Sequence, residues 1–330
     1  MATTIYTDTG DHKWSTAGNW SAGVPDATLD VTIAAGTTAL IFDTVAVCKS
    51  INLTGTSGVT ISGSGTIVVN GSLTLDSSVT WSSTGDMICQ GAGTVTTANV
   101  DLVSVNTLIF RGATIGLGSN LIKTVGLVLF DSGVIFTTNN HTMTVFGIGG
   151  NSSSQTINLG SSVVNCQYMN FAGSTPTITS AGAAINVSPP YSLMADFGST
   201  SWGDAVVTIT IPDSAGTVLT IAGTNTFGTL NLAGDSVVSG TIKFPQGIIT
   251  AAGAFSATGN AGGLVLTSSD GAHQAILSDT AGTNTVTNCT LSWLKAQGGA
   301  TWDATGNIDG GNNTGWTGLG SVVVQQGGIW

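Results

Sequence analysis

The sequence predicts an all-β protein of one particular build: a right-handed parallel β-helix, an elongated solenoid. Three observations carry that expectation. Good helix formers are scarce: charged residues make up 7% of the 330-residue chain, against roughly 25% in an average soluble domain. All 17 acidic residues are aspartate, Lys and Arg together number 6, and Thr, Ser, Val, Asn and Gly fill the rest, a composition that disfavours helices. Apolar and polar residues alternate with a period of two. Similar phrases recur at intervals of roughly twenty residues, without the strict period of leucine-rich or hexapeptide repeats.

Residues 1–30 read as an N-terminal cap or attachment segment. The start "MATTIYTDTGDHKW" lacks a basic stretch followed by an apolar run, so no secretory signal is expected. "HKWSTAGNWSAGVPDATLDVTI" then places Trp14, Trp20 and Pro25 ahead of the first clean strand.

Residues 31–290 read as the solenoid body. "ALIFDTVAVCKSINLTG", "GVTISGSGTIVVNGSLTLDSS" and "VTWSSTGDMICQGAGTVTTANV" follow one another. In "GSLTLDSSVTW" Leu73, Leu75, Val79 and Trp81 share one face, with Ser72, Thr74, Asp76 and Thr80 on the other. Further on, Val207, Ile209, Ile211, Leu219 and Ile221 form the inward set, with Thr208, Thr210 and Thr220 outward. Clusters such as "GTSG", "SGSG", "TTNN" and "DSAG" supply the turns. A sandwich or barrel would carry charged outer faces, whereas Thr, Ser and Asn clothe this chain. In a solenoid each coil stacks on the last and buries its aliphatic side in a continuous core. Ten to thirteen rungs at about 4.8 Å give a rod of roughly 50 to 60 Å, whose end rungs must be covered.

Residues 291–330 read as a Trp-rich C-terminal cap. Four of the eight tryptophans, Trp293, Trp302, Trp316 and Trp330, fall there. The stretch "GGATWDATGNIDGGNNTGW", Gly298 to Trp316, is dense in turn formers, which let a chain fold back while its rings cover exposed core. Trp14, Trp20, Trp293, Trp302 and Trp316 are therefore the structural cap residues.

Other classes are disfavoured. A net charge of −11 with few basic residues removes the term that dominates nucleic-acid affinity. No run of eighteen apolar residues occurs to span a membrane. Cys48, Cys89, Cys166 and Cys289 match no metal or disulfide spacing and are expected as buried thiols.

Catalytic residues are not expected, so no enzyme is. Glycoside hydrolysis needs two carboxyl groups across the bond, yet Asp76, Asp131, Asp213, Asp235 and Asp270 all lie in turn contexts that explain an aspartate. A uronate lyase wants gathered cations, and Arg111, Lys13, Lys49, Lys123, Lys243 and Lys295 are dispersed. His12, His141 and His273 lack zinc spacing, and no G-x-S-x-G elbow is present. No cofactor is expected. The nearest approach to a metal site is a structural calcium ion near Asp303 and Asp309, beside Asn307 and Asn312, in a stretch without the closing Glu of an EF-hand. Trp302 and Trp316 also fit sugar stacking, a reading to which capping is preferred.

The stretches "VLTIAGTNTFGTLNLAGDSVV", "NAGGLVLTSSDGAHQAILSDTAGTNTVTNCTLSWLKAQ" and the C-terminal "GGATWDATGNIDGGNNTGW", with the opening "WSTAGNWSAGVPDATLDVTI", resemble bacteriophage virion proteins built as β-helices: head decoration or cement proteins, tail fibres and tailspikes. The resemblance covers both ends and, in style only, the middle. It implies a homotrimeric, non-enzymatic structural protein of the virion, assembled in the host bacterial cytoplasm and packed on major capsid or tail proteins. Tailspikes of this build carry a separate N-terminal particle-binding module, whereas here the β-helix style begins within about thirty residues of Met1. That departure favours capsid decoration or cement over a tail fibre or tailspike gripping host-surface polysaccharide, with or without depolymerase activity.

Overall fold

A computed structural model describes residues 2–152, 154–190, 194–211, 217–234, 240–247, 249–261 and 263–320. Trp330, Asp213 and Asp235 lie outside these. The fold is all-β: a parallel β-solenoid of about 12 turns, whose helical content among the described residues is one 3-10 turn, Ala17–Asn19. The chain forms two compact units, Met1–Ala184 and Ile185–Trp330.

In the first unit one parallel sheet stacks Thr3–Tyr6, Asp30–Ile33, Ser50–Asn52, Leu73–Thr74, Gly93–Thr96, Thr114–Leu117, Ile135–Thr137, Thr156–Gly160 and Thr177–Ser180 in that order. A second stacks Ala46–Cys48, Ile67–Val69, Met87–Cys89, Thr107–Phe110, Leu121–Phe130, Met143–Gly150 and Val163–Asn170. A third, shorter one joins Ala39–Phe42, Thr60–Gly63 and Thr80–Trp81. Successive coils add their strands in step, so register runs from Ile51 to Leu73 to Val95 to Leu117. That step of about twenty-two residues is the interval the recurring phrases predict.

The two-residue alternation decides which side chains enter the core. Leu73, Leu75, Val79 and Trp81 are buried while Thr80 is exposed. Ala46, Ile67, Met87, Leu108, Val128, Ile148 and Met169 make one continuous inward column. Phe110, Phe130 and Phe136 fill the neighbouring space with ring centroids 4.7 to 5.8 Å apart. Stacking is close enough to demand glycine at some corners: a Cβ on Gly91 would sit 1.3 Å from the Asn70 carbonyl oxygen of the preceding coil.

The second unit repeats the plan. Val206–Ile211, Thr229–Gly234, Phe255–Thr258, Thr283–Thr287 and Thr301–Asp303 stack in parallel. So do Met194–Asp196, Val218–Ala222, Gly240–Phe244, Leu264–Ser268, Cys289–Ser292 and Ile308–Asp309. A third sheet holds Thr226–Phe227, Ile249–Ala252, Ala275–Ser278 and Leu294–Gln297. Val207, Ile209, Ile211, Leu219 and Ile221 all point inward, as the alternation predicts. All four cysteines are unbridged and buried.

Candidate functional site

Five tryptophans lie at the first and last coils among the described residues, Trp14, Trp20, Trp293, Trp302 and Trp316, while Trp81 and Trp202 are buried in between. In the first unit the chain folds back on itself: Thr3–Tyr6 pairs with Asp30–Ile33 in parallel, and Tyr6 bridges Trp20 in antiparallel sense. Trp14 N donates to the Ile41 carbonyl at 2.9 Å. The result is a buried aromatic chain. Trp20 meets Tyr6 at 4.9 Å and Trp14 at 4.7 Å, Trp14 meets Phe42 at 5.4 Å, and Phe42 meets Trp81 at 5.8 Å. Three of these contacts are edge-to-face, the arrangement that the ring quadrupole favours. Trp20 Nε1 donates to the Trp14 carbonyl at 2.7 Å. Beneath the rings, fully buried Asn19 accepts from Thr9 N and donates to Asp11 and to the Lys13 carbonyl. Bonds from Thr16 and Asn19 hold the Asp11 carboxyl down, to about 2. Tyr6, Phe42 and Trp81 belong to this cluster although the sequence pointed only to Trp14 and Trp20. Alternation already placed Trp81 inward with Leu73, Leu75 and Val79, but gave no sign that it meets Phe42.

In the second unit the stretch after Gly298 closes over the last strands. Thr314, Thr317 and Gly320 bridge in turn to Lys295, Asp303 and Ile308. Thus the final described residues touch all three strands of the coil beneath within seven positions. Trp302 is buried between Phe255 at 5.6 Å and Trp316 at 5.3 Å, and its Nε1 donates to the Gln297 carbonyl at 3.1 Å. Trp316 is half-buried. Trp293, also half-buried, takes left-handed backbone (φ 56°) between Cys289–Ser292 and Leu294–Gln297. A ring packed like Trp302 offers no open face for a sugar.

The carboxylates are engaged in turns. Asp303 accepts from the backbone and hydroxyl of Thr305, which lower its carboxyl. Asp309 accepts from Gly311 N and Asn313 Nδ2. Asn307 is buried, donating to the Val286 carbonyl at 2.6 Å and accepting from Cys289 N at 2.7 Å, while exposed Asn312 offers its carbonyl to Gln274. Asp303 and Asp309 are thus each bonded within the chain through Oδ1 and Asn312 through its backbone carbonyl. Asp76 accepts from Ser78 and from Gly55 one coil away. Asp131 accepts from Arg111 Nε at 2.6 Å and from Ser132 N. Asp270 takes bonds from Ala272, His273 and Ser268, which hold its carboxyl well below the usual range. His273 Nδ1 lies 2.7 Å from Asp270 Oδ2, and His12 Nδ1 lies 2.7 Å from Asp8 Oδ2. His141 is half-buried beside the left-handed residues Asn139 and Asn140.

Two further features stand out. On the outward face of the first sheet, Thr137, Asn139, Asn140, Asn158, Gly160 and Thr179 line a shallow groove of about 390 Å³. Hydroxyls and amides line it, and no ring. Inside the same unit Lys123 is buried and donates to the carbonyls of Val105 and Val125, and burial pushes its pKa down to about 8. Its inward place follows from the alternation with Leu121, a signal hidden by its charge. No protein-family model, no curated protein and no solved structure matches this chain.

Proposed function

We propose that this chain is a non-enzymatic structural protein of a bacteriophage virion, a capsid decoration or cement protein or a short surface spike. In this reading it is a right-handed β-helix that works as a homotrimer on major capsid or tail proteins. The observation that carries the proposal is the use of polar groups. The aspartates described above are bound up in turns and ladders that hold one coil to the next, as Asp76 is with Gly55. A chain so organised is built to be stiff rather than to perform chemistry. The resemblance of both chain ends to phage β-helix proteins supplies the setting. Right-handed crossovers are the rule for parallel strands joined in one sheet, which supports that handedness.

Peptide mass spectrometry of purified particles, with immunogold labelling by antibody to the chain, tests the proposal. Peptides in stoichiometric amount and label on the head are expected. A chain found only in the lysate and never in particles overturns it. The groove lined by Thr137, Asn139, Asn158 and Thr179 favours one second reading, a fibre or tailspike that holds host polysaccharide through hydroxyl and amide groups. Binding on a glycan array that Asn158→Ala abolishes would replace the first reading by the second.

A further inference from the structure

From one outward face of the first unit we infer where copies of this chain meet. This inference rests on the oligomeric reading above and names its surface. Along the sheet that begins with Ala46–Cys48, the inward neighbours alternate with a column pointing away from the core. Five consecutive coils place Val47, Val68, Ile88, Ile109 and Leu129 in register in that column. All five are half-buried. Thr and Ser interrupt the outward columns of the second unit, which read Thr208, Asn231, Ser256, Thr285 and Asp303 on one sheet and Val218, Thr241, Val265, Thr290 and Ile308 on another. A lone exposed valine needs no explanation, but an unbroken apolar ladder on a chain clothed in hydroxyls does. Exposed apolar residues extend it at the neighbouring corner, with Val45 62%, Val125 56% and Val103 41% exposed. The ladder stops at the next coil, where Leu129 pairs with Gly149.

The flanks identify the occupant as another copy of this chain in the same orientation. One flank carries Lys49, Asn70, Gln90 and Arg111, of which Lys49 is paired with Asp30 and Asn70 Nδ2 with the Cys48 carbonyl, so that Gln90 and Arg111 are the donors that face a neighbour. The amides along it are ordered, Gln90 Nε2 donating to Asn70 Oδ1 at 3.0 Å, and Arg111 is bonded to Asp131 through Nε alone among the described residues, so its two Nη groups can reach outward. The other flank offers one acceptor-only group, the Asp86 carboxylate, between the hydroxyls of Thr66 and Thr107, which can accept or donate. Asp86 takes bonds from Asn106 Nδ2 and Thr107 N on Oδ1, leaving Oδ2 for an outside donor. When copies stand in parallel around an axis along the stack, the donor flank of each lies beside the acceptor flank of the next. Gln90 then faces the neighbouring copy's Asp86 at the same height, with Arg111 one coil away. Such a head-to-side pairing is heterologous and closes into a ring, and three copies bring the aliphatic ladders together on a three-fold axis. Antiparallel copies would set the Gln90 and Arg111 flank of one copy against the same flank of the other and leave Asp86 without a facing donor.

Sedimentation of the purified full chain tests this without reference to any particle. A species of three times the 32.9 kDa chain mass is expected at tens of micromolar. Ile88→Thr with Ile109→Thr, which puts at these positions the residue found on most other outward faces, should raise the dissociation constant at least tenfold while circular dichroism and melting stay those of a folded solenoid. Thr208→Val in the second unit should leave the mass unchanged. Because the native thiols are buried, Val47→Cys reports orientation: parallel copies cross-link to themselves through a short bismaleimide. A monomeric wild-type chain, a trimer that survives the double threonine variant, or cross-linking only in a mixture of Val47→Cys and Leu129→Cys chains would each overturn the inference. Failure to find the chain in virions would leave these results standing.

Discussion

Lys123 is a charged side chain at a core-facing strand position, which is ordinarily unfavourable unless its donors are satisfied. Two carbonyls satisfy part of the need, and the attraction of Asp101 and Asp86 opposes the downward push of burial. Because the folded pKa of about 8 lies below the unfolded value near 10.4, the unfolded chain binds more protons between the two. Stability contributed at this site therefore rises with pH through that window. Urea midpoints of the wild type should climb relative to Lys123→Met from pH 8 to pH 10, and parallel curves would contradict the buried charge. Asn307 makes the opposite case, a buried amide with both ends bonded. Asn307→Ala leaves the Val286 carbonyl and the Cys289 amide unpaired and should lower stability by about 2 to 3 kcal/mol in urea. Sequence reading saw Asn307 only as a companion of a metal site, because a turn-rich context gives no sign of which amide points inward. Lys123 was legible by parity alone, had its charge not argued against the core.

At the level of the strand and its corner, stacking distance is the controlling quantity. Gly91→Ala would drive a Cβ into the Asn70 carbonyl, so the coils must part. A loss of about 1 to 3 kcal/mol, typical of overpacking, is expected in thermal melts. Trp302→Ala removes a buried ring and should cost about 3 to 5 kcal/mol, whereas Trp316→Ala, half-buried, should cost less. If melting is untouched by Trp316→Ala, its ring does not seal the last coil. The strands themselves were the most readable part of the chain. Alternation placed Leu73, Leu75, Val79, Trp81, Val207, Ile209 and Ile211 inward, and all are buried. Less readable were ring partnerships such as Trp14 with Phe42, since they join residues on different coils that no local period relates. The apolar outward ladder was hidden likewise: Val47, Val68 and Ile88 are each ordinary in a strand, and only register makes them one surface.

For the whole chain, the uncharged composition and the recurring interval anticipated a solenoid. The division at Ala184 left no mark, because no shift of composition accompanies it. The four thiols belong to this scale too, since they sample both units. Burial pushes Cys48, Cys89 and Cys166 up to about 12 and Cys289 to about 11. A folded chain should leave all four unreactive toward a thiol reagent at pH 8 and release four equivalents on unfolding in urea. Early reaction of a subset would mark the unit that opens first.

The register from Ile51 to Leu73 to Val95 also governs how such a molecule can form. Each strand finds its partners one coil away, so the typical loop to be closed stays near twenty residues however many coils are added. Divided by the chain length, that separation gives a relative contact order of about 0.07, at the low edge of the range of helical bundles and well below that of β-sandwiches. An all-β chain of this build can therefore nucleate on any adjacent pair of coils and lengthen by zipping, one coil at a time.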